Sequence, residues 1–159
     1  ESNAIVPLRV VNKALCIGAQ DSFGCVFFGR LLDSDWAVRL RALDALVKLV
    51  TNRSLQNSSN LAVIKLLEDE DGRVREAAAN ALGKLVGPAS SELETIVLRL
   101  EHDNSFVRSA AVGALVIIAN NQCSEFLFDA IVRRLEHHNA AVRAIAADAI
   151  GRLSAGDQG

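Results

Sequence analysis

The sequence predicts an all-α solenoid, and three observations predict it. One segment recurs in four gap-free copies, each copy carries an apolar stripe at helical spacing, and the apolar half of the composition is mostly Ala, Leu, Val and Ile. Six Phe, one Trp and no Tyr leave small and straight side chains to fill the interior, which suits stacked helices better than a sheet. The 159 residues allow one continuous core and no second independent unit.

The copies are DSDWAVRLRALDALVKL from Asp33, DEDGRVREAAANALGKL from Asp69, HDNSFVRSAAVGALVII from His102 and HHNAAVRAIAADAIGRL from His137. Their Val-Arg pair stands at Val38-Arg39, Val74-Arg75, Val107-Arg108 and Val142-Arg143, returning after 36, 33 and 35 residues. That period is one of helix-pair repeats.

Within the copies, Val38, Ala42, Ala45, Leu46 and Leu49 are matched by Val74, Ala78, Ala81, Leu82 and Leu85. The third copy has Val107, Ala111, Ala114, Leu115 and Ile118, and the fourth Val142, Ala146, Ala149, Ile150 and Leu153. Steps of four, three, one and three form a single helix face. Ala in mid-stripe admits a close helix neighbour, and Leu or Ile fills the wider end. Asp35, Asp71, Asn104 and Asn139 precede these helices as acceptors for free N–H groups. Gly83, Gly113 and Gly151 lie within the helical pattern and are read as close-packing positions.

The first helix of each pair is expected at 22–32, 59–68, 90–101 and 124–136, each ending in Leu and an acidic residue apart from the first, where the acid is Asp33. Asn, Ser, Gly and Pro gather between the repeats. Residues 5–18 read as a lone second helix with Pro7 in its first turn. The expected organisation is a half repeat over 1–20, helical pairs over 21–50, 59–87, 90–120 and 123–154, and a tail over 155–159.

The run Leu31-Leu32-Asp33-Ser34-Asp35-Trp36-Ala37-Val38-Arg39 resembles the HEAT-repeat consensus of two Leu, an acidic turn and a Val-Arg opening the inner helix. The resemblance covers about residues 22–154. It implies a right-handed α-α superhelix whose second helices line a concave face. It also implies a ladder of turn Asp and helix Arg, here Asp33 with Arg39 and Asp69 with Arg75. His102 and His137 replace the acid in the later copies, leaving Arg108 and Arg143 to Asp103, to the preceding repeat's acid or to backbone carbonyls.

Charge and motifs limit the function. Seventeen Lys and Arg against 19 Asp and Glu give a net charge of -2, which offers no broad cationic field to nucleic acid. Cys16, Cys25 and Cys123 are odd in number and set among apolar residues, reading as free thiols in a reducing, cytoplasmic setting. No apolar run reaches the roughly 18 residues of a membrane span. No secretory signal opens the chain, and the absence of Met suggests a piece of a longer array. Asn52-Arg53-Ser54 and Asn57-Ser58-Ser59 match the glycosylation pattern, a short one that arises by chance.

Some HEAT-type enzymes hold iron with His-Glu pairs, but here the order is reversed, Glu101-His102 and Glu136-His137, and lies in turns. Neither a nucleophile elbow nor a phosphate loop is present. No catalytic residue, metal or cofactor is therefore expected. The alternatives are a metal-dependent hydroxylase or lyase of HEAT-like fold and a nucleic-acid-binding HEAT protein.

The leading expectation is a protein-binding scaffold using the concave face. Its outward residues are Arg41, Asp44 and Lys48; Arg73, Asn80 and Lys84; Phe106 and Ile117; and Ile145, Asp148 and Arg152. Phe106, Ile117 and Ile145 form an apolar island among charges, suited to an amphipathic helix. Bare apolar ends of the stack would also permit end-to-end self-association.

Overall fold

A computed structural model describes residues 29–49, 56–87, 90–121 and 125–156. The half repeat over 1–20, the three cysteines and the Asn52 triplet lie outside them. The described chain is helical throughout: α1 (Trp36–Leu49), α2 (Gln56–Lys65), α3 (Gly72–Leu85), α4 (Glu92–Val97), α5 (Ser105–Asn121), α6 (Glu125–Val132) and α7 (Ala140–Gly156). The first helices α2, α4 and α6 each tighten into a 3-10 turn, Leu66–Glu68, Leu98–Glu101 and Arg133–Glu136. The tightening swings the chain sharply into the second helix of its pair.

Each second helix is started by the residue expected to cap it. Asp35, Asp71, Asn104 and Asn139 accept from the N–H of Ala37, Arg73, Phe106 and Ala141 at 2.8, 2.9, 2.9 and 2.9 Å. Two residues earlier a second acceptor closes the turn. Asp33 and Asp69 take the N–H of Asp35 and Asp71 at 3.1 and 2.9 Å, and in the later copies the Nδ1 of His102 and His137 takes that of Asn104 and Asn139 at 3.1 Å. Imidazole with an unprotonated Nδ1 thus keeps the turn that carboxylate makes elsewhere.

Two layers result. The second helices α1, α3, α5 and α7 pack in sequence, far more extensively than α2, α4 and α6 do among themselves. The inner stripes explain the extensive contact between the second helices. Val74, Ala78, Ala81, Leu82 and Leu85 are buried, as are Val107, Ala111, Ala114, Leu115 and Ile118. Full burial of a Leu or Ile contributes about 2 kcal/mol, whereas the intervening Ala sets the approach. In the outer layer Leu67, Ile96, Leu100, Leu127 and Ile131 complete the core. Asn60 on α2 and Glu92 on α4, both buried, face each other at 3.4 Å. Burial works to raise the Glu92 carboxyl, but hydrogen bonds from Ser90, its own N–H, Asn60 and Ser91 hold it below the usual range.

Four expectations need correction. Helix α2 begins at Gln56 rather than Ser59, and α7 runs through Gly156 into the segment assigned to a tail. Gly151 is exposed, and a Cβ added there would meet no atom of the described residues within 4 Å. The ladder also connects different residues from those paired above. The Asp33 carboxylate meets Arg30 at 3.0 Å, and Arg39 instead reaches forward to Asp69 of the following repeat.

Candidate functional site

The Arg-Asp rung is structural, and its geometry shows why. Arg39 Nε and Nη2 lie 2.7 Å from the two carboxylate oxygens of Asp69, and both side chains are nearly buried, 6% and 7% exposed. Its Nη1 donates to the carbonyls of Asp33 and Ser34 at 2.8 and 3.0 Å. One guanidinium thereby closes its own turn and grips the next. Hydrogen bonding to Asp69 raises the Arg39 pKa against partial desolvation. Arg75, Arg108 and Arg143 keep only the first half of this arrangement, donating through Nη1 to the turn carbonyls 69 and 70, 102 and 103, and 137 and 138 at 2.6–2.9 Å. No carboxylate of the described residues pairs with any of the three.

A second ladder on the outer layer was not anticipated. Glu68 at the end of one first helix meets Arg99 of the next at 3.0 Å, and Glu101 meets Arg134 at 3.0 Å. Arg134 also reaches Glu94 at 3.0 Å. The signal was present in the recurrent Leu67-Glu68 and Leu100-Glu101 and in Arg99 and Arg134 at matching positions.

The freed Arg75 borders a groove of about 400 Å³ on the inner layer. Helix α3 contributes Arg75, Glu76, Ala79 and Asn80; α5 contributes Phe106, Ser109, Ala110, Gly113, Val116 and Ile117; Arg152 approaches from α7. Small residues make the floor, and a Cβ added at Gly113 would come 3.9 Å from that of Ala79, an ordinary van der Waals distance. Ile117 leans across Gly83, where an added Cβ would meet its Cγ2 at 2.1 Å. That lean is fixed from below by Asn121, whose Nδ2 donates to the Gly83 carbonyl at 2.7 Å. Phe106 stands at the mouth, 66% exposed, with the Arg75 guanidinium 5.3 Å from its ring centre.

Of the outward residues expected to meet a partner, the groove brings together Asn80, Phe106, Ile117 and Arg152. Ile145 does not join them; it is half-buried against the core. Asp44 and Lys48 pair with each other at 2.7 Å on the exposed side of α1, while Arg152 and Asp148 stand 3.9 Å apart. Arg73 is already engaged, bonded to Asp71 at 2.7 Å and laid over the Trp36 ring at 3.4 Å. Arg41 and Lys84 are exposed outside the groove.

The family model for HEAT repeats matches residues 26–115 and, in a second overlapping alignment, 61–131. The chain belongs to the HEAT-repeat family. No curated protein matches its sequence. HEAT repeats are commonly protein-interaction scaffolds, and in this HEAT stack the groove between α3 and α5 carries the exposed Phe106 beside small residues. Among the described residues no three His, Cys, Asp or Glu side chains converge as metal ligands. The Nδ1 atoms of His102 and His137 are occupied by turn N–H groups. No described helix is long and apolar enough to cross a membrane.

Proposed function

We propose that this HEAT array is a non-catalytic, cytoplasmic binding module that holds a segment of another protein in the α3–α5 groove. The observation that carries the reading is an exposed Phe106 beside a small-residue floor, bounded by the guanidinium groups of Arg75 and Arg152. An apolar side chain of the partner fills the floor between Ala79, Gly113 and Ile117. A carboxylate one helical turn away on the partner meets Arg75, which pairs with no acid among the described residues. An amphipathic helix presents those two groups on one face. The reading includes no nucleic-acid partner, because the groove also carries Glu76 and the chain is net acidic.

Selection of helical peptides from a displayed library against the full chain tests it. Enriched sequences should carry an apolar anchor with Asp or Glu three or four positions away, and Phe106→Ala should weaken them roughly tenfold or more. Peptides that bind Phe106→Ala and Ile117→Lys as well as the parent would contradict the reading.

A further inference from the structure

Each inner helix has two outward positions one turn apart, and three of the four copies fill them alike. An Asp or Asn is followed by a cation: Asp44 with Lys48, Asn80 with Lys84, and Asp148 with Arg152. Asp44 and Lys48 meet in solvent at 2.7 Å, and Asp148 stands 3.9 Å from Arg152. The third copy has Gly113 and Ile117 at the same two positions. A polar row along the inner layer is thus interrupted on α5, and Asn80 from α3 and Arg152 from α7 line the groove beside the gap.

Packing between repeats does not call for glycine at 113. At Gly83 it does, because an added Cβ would stand 2.1 Å from Ile117 Cγ2. At Gly113 an added Cβ would meet only the Ala79 Cβ within 4 Å, at 3.9 Å. Glycine inside a helix is less stable than Ala because more backbone freedom is lost on folding. Helix α5 therefore carries a destabilising residue where the fold has room for a side chain, and equivalent positions on the other inner helices hold one.

The space left open faces the groove. Ile117 at its edge is β-branched, with few rotamers that could swing in to fill it. The absent Asp or Asn side chain has the branched outline of Leu, so the gap matches an aliphatic group of that size. With Gly113 and Ile117 in place of the polar pair, α5 presents no charge or amide there. A smaller anchor would leave part of the seat without partner atoms, and a flat ring does not match the branched outline.

We propose, resting on the groove reading above, that Gly113 is the specificity-determining residue of the α3–α5 groove and holds open a seat for one Leu-sized aliphatic side chain of the partner. The glycine serves the bound segment rather than the stack.

Helical peptides displayed with Ala, Val, Leu or Phe at the anchor position, selected against the full chain, test the proposal together with thermal melts. The parent should retain Leu. Gly113→Ala should raise the thermal midpoint, weaken the Leu peptide roughly tenfold or more and move the preference to Ala or Val. Gly113→Asn, which supplies on α5 what Asn80 supplies on α3, should abolish binding without loss of helical content. A lower thermal midpoint in Gly113→Ala would assign the glycine to packing and overturn the proposal, as would a parent that prefers Phe or Ala. Peptides that are lost with Phe106→Ala but held by Gly113→Ala with the same anchor and affinity overturn it while leaving the groove reading intact. Enrichment of no Phe106-dependent peptide overturns both.

Discussion

A single position, the Arg that follows Val at the start of each inner helix, has two chemical settings according to what the next turn contains. Arg39 finds Asp69 and is nearly buried with it; Arg75 and Arg108 face turns that carry His102 and His137 and keep only their carbonyl contacts. Removing one member of a buried pair strands the other, so Arg39→Ala should cost about 3 kcal/mol. Arg108→Ala should cost about 1 kcal/mol, the scale of hydrogen bonds to a turn. Urea unfolding of the two variants checks the difference, and equal losses would remove the rung's special standing. The replacement of Asp by His therefore releases Arg75 toward the groove without opening the turn.

Asp71 provides a pH signature at the same scale. Hydrogen bonds from the Arg73 guanidinium, then from the N–H groups of Arg73 and Val74, outweigh partial burial and bring its carboxyl from the ordinary 3.8 down to about 2. A lowered carboxyl stabilises the fold fully above its unfolded value. The contribution is lost as pH falls from about 3.8 toward 2. Asp71→Asn should flatten that part of the stability profile, and an unchanged acid limb in thermal melts at stepped pH would contradict the assignment.

At the scale of elements, the spacing of helices α3 and α5 depends on Gly83. A Cβ there would stand 2.1 Å from Ile117 Cγ2 and 3.0 Å from its Cβ, and a β-branched side chain has few rotamers into which to retreat. Gly83→Ala should destabilise by about 1–3 kcal/mol, and Ile117→Ala in the same chain should recover much of the loss. Gly151→Ala should be neutral or slightly stabilising, since nothing lies near and Ala favours helix. Thermal melts of the three variants decide this.

Helices, caps and inner stripes were legible because each is a local pattern repeated four times, and chance does not reproduce Val, Ala, Ala, Leu in register with a cap before each copy. Ladder partners were less legible. Spacing shows that Asp69 and Arg39 occupy equivalent kinds of position, but whether Arg39 reaches its own turn or the next depends on the offset between stacked repeats. The site was half legible for the same reason: Phe106, Ile117, Asn80 and Arg152 follow from helix faces, whereas Arg75 enters the groove only because its rung lacks an acid. Ile145 shares the outward register but turns against the core.

Taken as a whole, the molecule separates three tasks by surface. The core between layers supplies stability, the ladders set how one repeat sits on the next, and the inner groove is the surface proposed to bind a partner. Contact limited to neighbouring repeats makes these surfaces nearly independent. The decisive measurement is affinity capture from native lysate with the parent chain and with Phe106→Ala, Ile117→Lys and Phe128→Ser, followed by titration of the captured protein against each purified chain. The groove reading requires one protein that binds the parent and Phe128→Ser with equal affinity and loses roughly tenfold or more with either groove variant. Equal affinity for all four chains would place the partner elsewhere and contradict it.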